Sequence, residues 1–189
     1  MSITREQAHE ILMKYMKGER YIQHSYAVEC IMRGLAKRLD PERVEFWGIV
    51  GLLHDLDEEQ CDWEHDMSVH GPTSVEIQKK EGIEDQELFD AICAHNPLSG
   101  FRAKTKLQYA ILAGDPMSGF CKAVAQIYPD KKIASVKAKS VRKRFGEARF
   151  AAGANREYMS AIVHTGLTLE DLIDVALEEM NAISDQLGL

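Results

Sequence analysis

The chain has 189 residues, 45% of them hydrophobic, and a formal net charge of −7 from 23 basic and 30 acidic residues. That suits one domain with a substantial core, and the acidic balance argues against a general nucleic-acid binder. No apolar run approaches the roughly 18 residues of a membrane helix, no leader-like stretch follows Met1, and four scattered cysteines without a CxxC pair exclude a disulfide framework, so a cytoplasmic protein with reduced thiols is expected.

Helical signals dominate the chain from its start. Thr4 to Gln7 reads as a capping box, followed by Ala8, Ile11, Leu12, Tyr15 and Met16 at helical spacing, with Gly18 as the stop. A second helix is predicted from Arg20 to Leu39, with Tyr21, His24, Val28, Ile31 and Leu35 on one stripe. Asp40-Pro41 reads as cap and first turn of a third helix that carries Val44, Trp47, Ile49 and Val50 and reaches His54. Residues 55–70 are acidic and read as a solvated loop. Gly71-Pro72 restarts a helix to about Lys80, and Asp85 to Ala94 forms another. A helix over 104–113 is expected to break at Gly114-Asp115-Pro116 and resume at Gly119. Residues 131–156 should form short basic helices, and a final amphipathic helix, capped by Thr168, should span Leu169 to Leu187. Strand-like alternation is absent, so the fold class is all-α: one domain over 1–189, with a core at about 20–120 and a basic helical extension at about 121–189.

The histidines carry the main functional information. His24 lies mid-helix on an apolar stripe, His54-Asp55 follows the apolar run 49–53, His70 precedes a helix start, and His95 closes a helix. Asp115 follows another apolar run. Buried imidazoles and carboxylates need partners, and a shared divalent cation would satisfy them together. Imidazole nitrogen and carboxylate oxygen suit Mn, Fe, Co, Ni, Zn or Mg, and water on such an ion becomes a nucleophile near neutral pH. His70 and His95 have two readings, as ligands of a second ion or as groups touching substrate. Asp115, before a proline, reads either as a ligand or as a helix cap.

The order His24, His54-Asp55, Asp115 on helices resembles the HD-domain superfamily of metal-dependent phosphohydrolases. The added His70 and His95 resemble its dinuclear members, and the likeness covers roughly residues 20–120. It implies an HD-type helical bundle and one or two divalent ions on His24, His54, Asp55, His70, His95 and Asp115, with His54 and Asp55 at the catalytic centre. It also implies hydrolysis of a phosphoester of a small molecule, such as a nucleotide, with no membrane or specific nucleic-acid partner. The doublet continues Leu56-Asp57-Glu58 where phosphodiesterase members have Ile-Gly-Lys, and no Gly-Tyr-Pro follows, which argues against cyclic-dinucleotide cleavage. A diiron oxygenase of the inositol-oxygenase kind uses the same ligand types and stands as the alternative.

Between Lys131 and Arg156 there are nine basic residues and one acid, a local charge of +8 that leaves −15 for the rest. Phosphate contacts are therefore expected from Lys137, Arg142 and Arg144, and from Arg102 and Lys104 after His95. Asp57, Glu58 and Glu59 are read as solvated loop residues, ahead of a second reading in which they supply a general base. The sequence gives no reading of oligomeric state.

Overall fold

A computed structural model describes residues 3–189; Met1 and Ser2, where the leader was sought, lie outside the described residues. Ten α-helices and no strand occur among them: α1 (Arg5–Tyr15), α2 (Glu19–Leu39), α3 (Val44–Leu53), α4 (Pro72–Lys80), α5 (Gln86–His95), α6 (Lys106–Gln126), α7 (Ala138–Phe145), α8 (Arg156–Ser160), α9 (Leu169–Ala182) and α10 (Ser184–Leu187). The all-α expectation is met. None of these helices is long and apolar enough to cross a membrane.

The helices begin where local chemistry stops their first N–H groups from being orphaned. Thr4, Thr105 and Thr168 each form a full capping box with the residue three positions on, and Asp85 caps α5. Gly18 does not stop α1, which ends at Tyr15; it starts α2, and its N–H donates to the Glu59 carboxylate. Asp40 makes no side-chain cap, and a 3-10 turn over Pro41–Arg43 precedes α3.

α2 is the spine, packed against α3, α6 and α9. Its two close crossings depend on absent side chains. At Gly51 of α3 an added Cβ would lie 2.8 Å from the Val28 carbonyl oxygen of α2, and at Gly114 of α6 it would lie 3.2 Å from Ile31. α3 therefore meets α2 backbone to backbone, and the bare Gly114 backbone of α6 packs on the Ile31 side chain, which brings His24, His54 and Asp115 within reach of one another.

α6 runs unbroken through Pro116, against the expected interruption. The ring removes one N–H and strains the turn before it, a penalty of about 3 kcal/mol in an isolated helix. Here Ala110, Ile111, Ala113, Met117, Phe120, Cys121 and Val124 are all buried along α6, and that packing outweighs the local cost. The final helix departs in the other direction: it breaks at Ile183 into α9 and α10. A continuous buried apolar cluster reaches from Ala8 to Leu187, so the segment after residue 120 shares its core with the segment before it.

Gly51→Ala should separate α2 from α3, because the atom it meets is backbone and cannot swing aside. We expect a loss of about 1–3 kcal/mol in urea unfolding, the usual range for overpacking. Unchanged stability would show that the crossing tolerates a methyl group.

Candidate metal centre

Five elements deliver one side-chain cluster. α2 supplies His24, the end of α3 supplies His54 and Asp55, the turn before α4 supplies His70, α5 supplies His95, and α6 supplies Asp115. The six residues named from sequence thus converge. The Asp55 carboxylate lies between them: Oδ2 is 3.2 Å from His24 Nε2, and Oδ1 is 3.2 Å from His54 Nε2 and 3.4 Å from both His70 Nε2 and His95 Nε2. Asp115 Oδ1 is 3.1 Å from His24 Nε2 and 3.8 Å from His54 Nε2. Two adjoining groups, His24–His54–Asp115 and Asp55–His70–His95, each have ligand atoms within 4.8 Å of one another.

The other ring nitrogens fix what these atoms present. His54 Nδ1 donates to the Gly51 carbonyl at 2.8 Å, and His95 Nδ1 donates to the Ile92 carbonyl. His70 Nδ1 donates to Asp57 Oδ1 at 3.1 Å. His24 Nδ1 donates to Ser118 Oγ at 3.1 Å, since that hydroxyl spends its own hydrogen on the Asp115 carbonyl at 2.8 Å. A neutral imidazole with its hydrogen on Nδ1 shows a bare lone pair at Nε2. Four such lone pairs face two carboxylates, and the His70 and His95 Nε2 atoms lie 3.0 Å apart. His54 Nε2 and Asp55 Oδ1 are buried without a hydrogen-bond partner. Lone pairs converging on lone pairs in a buried space require positive charge, and this nitrogen and oxygen set fits a divalent cation.

Without a cation, protons do that work. Burial alone would push the His24 imidazole down, but the Asp115 and Asp55 carboxylates outweigh it and hold it at about 9. Burial is likewise overcome at His54, mainly by Asp55, to about 10, and at His70 by Asp55 and Asp57, to about 11. Burial opposes the carboxylate charges too, yet the facing imidazoles hold both Asp55 and Asp115 well below the usual carboxylate range.

Residues expected in a solvated loop turn out to have specific places. Asp57 is fully buried; besides His70 it accepts from the Gly71 N–H at 2.7 Å and the Ser74 N–H at 3.2 Å, so it also caps the start of α4. Glu59 accepts from the backbone of Lys17 and Gly18. Glu58 lines a cavity of about 290 Å³ beside His24 and Asp55, and burial together with the Asp55 charge pushes its carboxyl up to about 7. Linear spacing gave no signal for Asp57, whereas Glu58 stands four residues after His54.

The cations around this cavity are Arg20 and Lys122. The five named from sequence lie elsewhere. Arg102 and Lys104 line a separate depression with Asp90 and Phe101, Lys137 is exposed before α7, Arg142 pairs with Glu170 at 3.2 Å, and Arg144 pairs with Glu147. Among the remaining histidines, His65 is exposed and paired with Asp62, His9 meets the Tyr26 hydroxyl, and the His164 ring lies tilted against Tyr109.

A family model, the HD domain, matches residues 21–115, half of the chain. Comparisons with curated proteins and with solved structures return no significant match.

Two outcomes follow from the geometry. Asp57→Asn turns one accepting oxygen into a donor that faces N–H groups, and should cost about 1–3 kcal/mol in urea unfolding; an unchanged midpoint would contradict the three-donor arrangement. The imidazoles of metal-free protein, raised above an unfolded value of about 6.5, contribute stability in full below that pH, and the contribution is lost as pH rises through about 9 to about 11. A cation takes the protons' place, so binding Mn²⁺ at pH 7.5 should release about two protons or more, measured by calorimetry in buffers of different ionisation enthalpy. Binding without release would contradict this account.

Proposed function

The chain belongs to the HD-domain family, whose members are largely metal-dependent phosphohydrolases, and from that premise we propose that it hydrolyses a phosphoester of a small molecule with one or two divalent ions. The observation that carries the reading is the Asp55 carboxylate, within 3.4 Å of four imidazole Nε2 atoms, with Asp115 beside it. In this reading His24, His54, Asp55 and Asp115 hold one ion, and Asp55, His70 and His95 hold a second. Such ions supply a water of lowered pKa and neutralise phosphoryl oxygens.

The chain's own residues do the rest. Arg20 and Lys122 line the cavity over the cluster and bind phosphoryl oxygens. Ser118 fixes the His24 ring, and Asp57 fixes the His70 ring, each through Nδ1. Glu58, in its protonated form, gives its proton to the leaving oxygen as the bond from that oxygen to phosphorus breaks. The consumed water adds its oxygen to phosphorus and returns one proton to Glu58, so the products are an alcohol and a phosphate.

The test is phosphate release by Mn²⁺-supplemented protein from nucleotides, sugar phosphates and alkyl phosphates without oxygen. The His54→Ala, Asp55→Ala double variant should be inactive, and Glu58→Gln should lose about 10²-fold or more of kcat. The Glu58 carboxyl stands at about 7, and charge on Asp55's ions draws it lower, so kcat should fall with rising pH through a limb no higher than about 7 that Glu58→Gln removes. No phosphate from any ester, with bound iron and oxygen uptake, would overturn the hydrolase reading.

A further inference from the structure

The cavity beside His24 and Asp55 has two chemically different sources. α2, α6 and the turn after α3 contribute its ionisable and hydrogen-bonding groups, among them Arg20, Gln23, Glu58 and Lys122. The 180–189 segment contributes Met180, Leu187 and Leu189 and no polar side chain. Met180 is 1% exposed and Leu187 2%, so both are packed in place as the backing of this wall, and Leu189 is its partly exposed member.

The chain is bent deliberately to make it. α9 stops at Ile183, α10 turns the backbone, and Gly188 takes φ +65°, which lets the Leu189 N–H return to the Ser184 carbonyl at 3.0 Å. Gly188 abuts Gln23, whose side-chain oxygen accepts from Lys122 Nζ at 3.1 Å. A Lys37–Glu179 ion pair of 2.6 Å ties α9 to α2 just before the wall. The apolar wall and one cation of the cavity are therefore positioned by the same contact.

Resting on the hydrolase reading, we propose that the substrate is a phosphomonoester whose leaving alcohol is compact and apolar, seated on Met180, Leu187 and Leu189. Three observations point the same way. On the side formed by Met180, Leu187 and Leu189 the hydroxyl groups of a sugar or a nucleoside would lose water without gaining a side-chain partner, whereas an alkyl group gains from every buried methylene. The volume of about 290 Å³ lies at the small end for ligand pockets, which favours a compact leaving group. Two cations, Arg20 and Lys122, neither in an ion pair among the described residues, match a monoester dianion better than a diester monoanion. The reaction balances as alkyl phosphate plus water giving the alcohol and inorganic phosphate, with the carbon–oxygen bond kept.

The experiment compares methyl, propyl and butyl phosphonates, which bind but cannot be hydrolysed, by calorimetry on Mn²⁺-loaded protein. The matching phosphates, glucose 6-phosphate, adenosine monophosphate and dibutyl phosphate are assayed beside them for phosphate release. Phosphonate affinity and kcat/KM should each rise about fourfold per methylene, the ratio that full burial of a CH₂ gives. Glucose 6-phosphate, adenosine monophosphate and the diester should be poorer than butyl phosphate. In Leu187→Asn the butyl-to-methyl ratio should collapse towards one, and Leu187→Met, which keeps the apolar wall, should restore it. A flat chain-length series, or a sugar or nucleoside phosphate that outruns butyl phosphate, would overturn the apolar site while leaving the hydrolase reading standing. Phosphate release from no ester at all would sink the hydrolase reading, and the phosphonate affinities would still decide whether the wall selects apolar groups.

Discussion

A buried carboxylate that faces four imidazole lone pairs is the constraint on which this molecule is built. Asp55 can be where it is only if positive charge shares the space, because two lone pairs 3.0 Å apart, on His70 and His95, repel each other in a medium that screens poorly. Protons provide that charge on imidazoles that the facing carboxylates raise, and the same donor set fits divalent ions. Each ligand's far nitrogen is committed to a hydrogen bond, so the rings cannot rotate to relieve the repulsion. The surroundings have thus been arranged to make a cation the best available partner.

That arrangement is costly, and the rest of the fold exists to sustain it. Gly51 and Gly114 allow α3 and α6 to close on α2, which sets the distances among His24, His54 and Asp115. The packing of α6 keeps that helix intact through Pro116, and an intact α6 holds Asp115, Ser118 and Lys122 on one face. Asp57 joins two jobs that are usually separate, since the carboxylate that orients His70 also caps α4. A change at Asp57 therefore reaches the cluster and the helix start together.

The fold class and the six-residue cluster were legible in the sequence because they depend on local signals. Capping boxes at Thr4 and Thr168 mark helix starts, and each cluster residue adjoins an apolar run that had to be buried. What stayed hidden depended on tertiary balance. Pro116 reads as a break because propensity is local, and accepting that break erased the register that relates Asp115 to Ser118 and Lys122, three and seven residues on. Asp57 was read as solvated because five other acids surround it between residues 57 and 66, and only the return of the chain at Gly71 and Ser74 shows its burial. Arg20 stands four residues before His24 on the same helix, a spacing that puts both on one face, whereas the denser basic segment lies far along the chain.

The density of that segment does not bring it to the cavity, since none of its residues line the space beside His24 and Asp55. Sequence weighs all charges equally, and nine basic residues between Lys131 and Arg156 outweigh two isolated ones by count. Energy does not follow the count. Arg142 and Arg144 sit in largely solvated pairs with Glu170 and Glu147, where water screens their charge and each pair contributes little. Arg20 and Lys122 line the cavity beside His24 and Asp55, and although Arg20 is exposed, their placement rather than their number sets them apart from the basic segment. In the proposed reading a phosphoryl group entering that cavity would meet two cations and the cluster together, so position and not count would set the anion affinity of an otherwise acidic chain.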